Sequence, residues 1–357
     1  MRSLSDAEVR VLRVLLAGVP GPERRSVLEA DVPRSTFQSV RRRAFVHGWL
    51  KERYLPDPAL FGTERVRFFL AQPYTEQWSA SMRALRALDD LVLLWASPET
   101  LFGVVFEGRA SSGWEGLRST DSFRRSWTVA PATGGDGVVS YFDYEGVWSR
   151  GTRESEPLAY PRGFPVHGSR GSPVTRGDWV AVRGLLVRPF EPGPGPSEPR
   201  WFSPSRLSRH ERRLLREGWL VQRLLPDFNE IPSWGGYRPE RVVFITGLVR
   251  PGGEPRRLFE NLTQEARAAP FLFVYDADRV LLGTMSPAPA GVTDGRHSVV
   301  EVLERDLERI EVVREPIASL FPAVDHRYDR LPTPKLPTPP APGNGGDREL
   351  NRAASTE

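Results

Sequence analysis

Gly48-Trp49-Leu50-Lys51-Glu52-Arg53-Tyr54-Leu55-Pro56-Asp57 returns later in the chain as Gly218-Trp219-Leu220-Val221-Gln222-Arg223-Leu224-Leu225-Pro226-Asp227, at a constant offset of 170 residues. Downstream, Glu64-Arg65-Val66-Arg67-Phe68-Phe69 matches Glu240-Arg241-Val242-Val243-Phe244-Ile245 at an offset of 176. Further on, the apolar run 91–95 with Leu101-Phe102-Gly103 matches the run 271–275 with Leu281-Leu282-Gly283 at 180. Upstream, Val9, Val11, Val14, Leu15 and Leu16 align with Val180, Val182, Leu185, Leu186 and Val187 at 171. Order is kept and the offset drifts only through short insertions, so the chain reads as a tandem duplication.

Each copy divides in two. In the first, Val9, Leu12, Leu15 and Leu16 follow helical spacing behind a capping candidate, Ser5, with Glu8 three residues on; Gly18 and Pro20 stop that helix. A short second helix is expected over 23–29 and a third over 34–47, closed by Gly48, with a strand at 49–55 before the Pro56-Asp57-Pro58 turn. Three short helices and a β-wing in so few residues form the pattern of a winged helix-turn-helix. The remainder of the copy reads strand 66–71, helix 75–88, strands 91–95 and 101–106, a Gly/Ser/Arg-rich stretch at 107–136 in which no second helix is assigned, and strand 138–148. The second copy supplies the clearer helix 298–309 and strand 310–314, so the order is βαββαβ, a ferredoxin-like unit. The expected class is therefore α+β, with two winged helices (1–60 and 175–230) alternating with two ferredoxin-like domains (61–157 and 231–330). A Pro/Gly/Ser-rich linker at 158–174 and a proline-rich, disordered tail at 331–357 complete the chain.

Charge narrows the partner. The net charge is +4, and of 49 basic residues only Lys51 and Lys335 are lysine. Residues 1–60 carry 11 basic against 7 acidic side chains, and residues 200–225 carry 7 against 2, so everything else is net acidic. Two basic blocks, rich in the guanidinium that pairs bidentately with phosphate and guanine, point to a polyanion. Zero cysteines exclude a disulfide scaffold, a thiolate nucleophile and Cys-ligated zinc. No apolar run is long enough to span a bilayer and the N-terminus lacks a signal-peptide core, so no membrane partner and a cytoplasmic, nucleoid-associated location are expected. The five histidines are scattered, with no metal-ligand spacing, phosphate-cradling glycine loop or nucleophile elbow around them; the expectation is a chain without cofactor or catalytic residues.

The block 34–50, Arg-Ser-Thr-Phe-Gln-Ser-Val-Arg-Arg-Arg-Ala-Phe-Val-His-Gly-Trp-Leu, resembles the recognition helix and wing entry of the Lrp/AsnC (feast/famine) transcriptional regulators. Leu55-Pro56-Asp57-Pro58-Ala59-Leu60-Phe61-Gly62 is similar to that family's hinge. The resemblance covers about residues 4–106 and, more weakly, 176–315. It implies a sequence-specific DNA-binding regulator whose regulatory domains pair through their sheets; with both copies in one chain, the pairing is expected within the chain, burying strands 66–71, 101–106, 242–245 and 281–285.

Double-stranded DNA is then the expected partner. The contacts would come from Arg34, Ser35, Thr36, Gln38, Ser39, Arg41, Arg42 and Arg43 on the third helix, and from Lys51 and Arg53 on the wing. In the second copy they would come from Ser205, Arg206, Arg209, Arg212 and Arg213, where prolines at 192, 194 and 196 preclude a normal second helix. Self-association into a homodimer is a further expected route to a palindromic operator. The turns where the family holds its effector read Ser97-Pro98-Glu99-Thr100 and Asp276-Ala277-Asp278-Arg279, lacking the usual glycine and acidic pair, which leaves a small-molecule effector open. Two alternatives stand beside the regulator: a protein-interaction or architectural chromatin module, and a siroheme-decarboxylase-like enzyme. The latter's histidine-rich motif has no counterpart at 89–106.

Overall fold

The computed structural model describes residues 3–17, 23–108, 113–133, 137–141, 144, 174–187, 208–233, 239–264, 270–286, 299–317 and 325–326. Residues 158–173 of the expected linker, the proline run 191–199 and the tail 331–357 lie outside them. The fold is α+β.

Three helices open the chain: α1 (Asp6–Ala17), α2 (Glu23–Ala30) and α3 (Arg34–Val46). α1 begins in a reciprocal cap, the Glu8 carboxylate accepting from the Ser5 amide at 2.9 Å while Ser5 Oγ accepts from the Glu8 amide at 3.4 Å. α3 ends at Gly48, whose φ of +70° is left-handed backbone that a side chain disfavours. Val9, Leu12 and Leu15 meet Ala30 and Phe37, Val40 and Ala44 in a closed core.

The strand expected as a wing does something else. β1 (Leu50–Pro56) pairs antiparallel with β7 (Leu220–Pro226) of the second copy, Arg53 opposite Arg223 at the centre. Those two residues are equivalent in the repeat, so the ribbon has a local twofold axis between them. The flanking bonds obey it: the Asp57 amide donates to the Trp219 carbonyl at 2.9 Å and the Asp227 amide to the Trp49 carbonyl at 2.8 Å. A seven-residue strand without a hairpin partner must satisfy its backbone elsewhere, and the duplicate supplies an equivalent strand.

β2 (Arg65–Pro73), α4 (Trp78–Arg86), β3 (Leu91–Ala96), β4 (Leu101–Glu107), α5 (Gly113–Arg118) and β5 (Phe123–Val129) follow, with spatial order β3-β4-β2-β5. The stretch 107–136, assigned no second helix from sequence, thus holds both α5 and the fourth strand. The strand expected at 138–148 is β6 (Val138–Tyr141), and it belongs to the other sheet, paired with β9 (Leu272–Tyr275). The second copy runs α6 (Arg176–Val187), α7 (Arg209–Arg216), β7, β8 (Arg241–Val249), α8 (Pro255–Gln264), β9, β10 (Arg279–Ser286), α9 (Val299–Asp306) and β11 (Leu307–Pro316), ordered β9-β10-β8-β11. A last strand, β12 (Asp325–His326), returns to pair with β3. Each copy therefore lends one edge strand to the other's sheet.

The two sheets pack face to face. Phe68, Trp95, Phe102 and Val104 meet Val242, Phe244, Phe271 and Leu281, with Phe102 stacked on Phe244 at 5.1 Å and Trp95 5.4 Å from the same ring. Alternate residues face outward onto helices: Phe69, Leu101 and Val105 onto Met82, Leu85 and Trp114; Val243, Ile245 and Leu282 onto Leu258, Leu262 and Val302. Burial on both faces explains why these strands read as continuous apolar runs, and the four strand segments expected in the sheet interface are all there.

Burial also corrects the repeat register. Phe68 and Phe244, 176 apart, sit opposite Val104 and Gly283, which are 179 apart rather than 180. Leu101 faces helices whereas Leu281 faces the other sheet, as a one-residue slip requires. In α6, Val182 and Leu185 are buried but Val180 is 69% exposed, so Val9 corresponds to Trp179 at 170, not to Val180. Matching apolar letters had shifted both blocks by one residue.

Candidate nucleic-acid interface

α3 is amphipathic in a way that divides the arginines expected on DNA. Phe37, Arg41 and Phe45 form one ridge and Val40 and Ala44 the next; all five are buried. Arg41, 4% exposed, lies inside that double ridge instead of on a flank, which removes it from a DNA-facing surface. Arg34, Ser35, Ser39 and Arg42 are exposed, and Thr36 and Gln38 are half-buried. Arg43 turns back to the Glu8 carboxylate at 2.8 Å, and that carboxylate is only 4% exposed. Arg43 is a structural tie between α3 and the cap of α1.

Lys51 is likewise engaged, its ammonium 2.8 Å from Asp227 across the β1–β7 ribbon. Arg53 occupies the ribbon's centre by its backbone; its side chain lies outside the described atoms. No free wing carries either residue.

The second copy repeats this division. Ser205 and Arg206 lie outside the described residues. Arg209 and Arg212 are exposed on α7. Arg213, equivalent to Arg43, binds Asp178 at 2.9 Å and Glu217 at 3.0 Å, and Asp178 is the equivalent of Glu8. Asp178 caps α6 with Thr175 and meets His210 Nδ1 at 2.7 Å. Burial pushes the Asp178 carboxyl up, but the hydrogen bonds from Thr175 and His210 and the nearby Arg213 hold it below the ordinary carboxylate range. This Arg–acid pair was missed in the sequence, although one signal was present: in both copies the acid stands at the third helical position behind Ser5 or Thr175, and the arginine 35 residues later.

The turns at the family's effector position join the two sheets. Thr100 Oγ1 donates to the buried Glu315 carboxylate at 2.5 Å, and Asp276 accepts from the Ala130 amide at 2.9 Å. Elsewhere Arg67 bridges Glu107 and Glu115 on the helix-covered face, and burial raises the Asp90 carboxyl above its usual range nearby. Among the described residues, no cluster of three or more histidine and acidic side chains is arranged to hold a metal, and no helix is long and apolar enough to cross a membrane.

No protein-family model matches this chain, and no curated protein matches it. Among solved structures it is similar to E. coli AsnC at 12% identity, over 36% of this chain and 93% of that one, with a TM-score of 0.28. It is also similar to the siroheme decarboxylase NirDL at 9% identity, over 91% of this chain and 96% of that one, with a TM-score of 0.45. NirDL in complex with an iron-uroporphyrin III analogue aligns at 9% identity over 87% and 92%, with a TM-score of 0.43.

Proposed function

We propose that the chain is a sequence-specific DNA-binding transcriptional regulator of Lrp-like layout, two winged-helix-type units carried on two ferredoxin-like units paired within the chain. The observation that supports it is the outward face of α3: Arg34, Ser35, Ser39 and Arg42 are exposed on a helix whose opposite side is fully occupied by the three-helix core. Short polar side chains near a helix N-terminus meet base edges, and exposed arginines meet guanine or phosphate. The reading assigns no catalytic residue and no cofactor.

Selection from a randomised duplex pool, followed by gel shifts at increasing salt, tests it. Wild type should retain a defined sequence with affinity falling steeply with salt. Ser39→Ala with Arg42→Ala should abolish the preference while leaving the fold intact. Retention of the selected duplex by that variant favours the protein-interaction alternative. A visible-spectrum titration with siroheme, run alongside, reads the enzyme alternative: saturable binding with decarboxylated product would replace the regulator reading.

A further inference from the structure

We propose that the two helical units divide the work on DNA: α3 reads bases at one half-site, while α7 grips only the phosphate backbone at the other. The operator then carries sequence information on one side of its centre. This rests on the DNA-binding reading above and adds the asymmetry.

The two units hang from the β1–β7 ribbon in equivalent ways. Leu224 of β7 joins the core of the first unit, and Leu60 with Tyr54 packs into the core of the second around Trp179 and Leu185. A duplex that spans both units would meet different chemistry on each.

The start of α7 decides the difference. Ser208 is its N-cap, extended at φ −62° and ψ 163°, and closes a full capping box with Glu211: the Ser208 amide donates to Glu211 Oε2 at 2.7 Å and the Glu211 amide to Ser208 Oγ at 3.2 Å. Ser208 is equivalent to Gln38, already inside α3. α7 therefore begins where α3 has completed its first turn, the turn that bears Arg34 and Ser35. A helix reads bases chiefly through that N-terminal end.

What α7 offers along its body is a cationic stripe. Arg209, Arg212 and Arg216 are exposed at i, i+3 and i+7, where α3 has Ser39, Arg42 and Val46. Glu211 and Leu214 face inward and Arg213 is tied to Asp178 and Glu217, so this stripe offers guanidinium donors and lacks the serine that α3 carries at 39. Arg216 is 78% exposed and 3.7 Å from Glu217. Such a stripe complements duplex phosphates, which fix register without conveying sequence.

The test uses the full chain, the randomised pool and hydroxyl-radical footprinting. Wild type should select a consensus on one side of the footprint while protecting backbone on both. Changing Arg209→Ala, Arg212→Ala and Arg216→Ala together should leave the consensus and the thermal midpoint unchanged. It should also weaken every duplex roughly tenfold, and make the slope of log affinity against log salt shallower by about two to three. The corresponding triple Lys variant should restore the slope, because a point charge suffices for phosphate. A palindromic consensus, an Ala variant with altered base preference, or one with an unchanged salt slope overturns the proposal while leaving DNA binding in place. Failure of wild type to bind any duplex at low salt removes both readings.

Discussion

Arg42 is exposed on α3, while its neighbour Arg43 lies 2.8 Å from a carboxylate that is almost fully buried. Removing Arg43 takes the ion pair from a nearly buried carboxylate and leaves it its Ser5 hydrogen bonds, whereas removing Arg42 uncovers nothing. Arg43→Ala should therefore lower unfolding stability by about 1–3 kcal/mol in urea titration, and Arg42→Ala should stay within about 0.5 kcal/mol. DNA affinity should respond in the opposite pattern, with Arg42→Ala the weaker binder of the two at a temperature where both are folded. Asp178 plays the part of Glu8 in the second copy, and its depressed carboxyl sets a pH dependence. A carboxyl depressed in the folded state contributes stability above its unfolded value, about 3.9, and loses that contribution as the pH falls through the lower folded value. Urea midpoints measured from pH 7 to pH 2 should thus fall more steeply below pH 4 for wild type than for Asp178→Asn, which starts lower and changes less.

At the level of elements, strand register carries the information that residue identity hides. Gly103 and Gly283 look equivalent in the sequence, but Gly103 lies opposite Phe69 on the helix-covered face and Gly283 opposite Phe244, on the face that meets the other sheet. A methyl group at 103 would run into the Phe69 ring and come within 3.0 Å of the Leu93 carbonyl; at 283 it would stand 2.7 Å from Phe271 Cζ. Each Gly→Ala substitution should cost about 1–3 kcal/mol by overpacking. Pairing Gly283→Ala with Phe271→Leu should recover part of the loss and Gly103→Ala with Phe271→Leu none, as chemical denaturation of the four variants would show. Helix ends were more legible than strand partners. Ser5 with Glu8, and Gly48 at the end of α3, are local signals, and the structure starts and stops helices beside them. Nothing local marks Val138–Tyr141 as a strand of the second sheet, because its partner Leu272–Tyr275 lies more than a hundred residues away.

Across the whole molecule, the copies share the β1–β7 ribbon, one aromatic sheet interface and an exchanged edge strand in each direction. None of these can be lost by one half alone without exposing apolar surface on the other. Thermal unfolding should accordingly be one cooperative transition, with calorimetric and van't Hoff enthalpies equal, and two separated transitions would contradict it. Light scattering should return a single chain, since a twofold arrangement of the two copies is already present in the ribbon.

Duplication, helix caps and the two-sided apolar character of the strands were determined by the sequence alone, because each depends on residues close together or on letters repeated at a fixed spacing. Which face each strand residue takes, which arginines remain in solvent and where β6 and β12 pair were decided by tertiary structure. A β-ladder and an ion pair join residues distant in the chain, and a side chain's surroundings exist only after those partners have met. Arg41, Arg43, Lys51 and Arg213 read as a basic surface in one dimension. In three, one enters a core and three hold the fold together, leaving Arg34, Ser35, Ser39, Arg42, Arg209, Arg212 and Arg216 exposed.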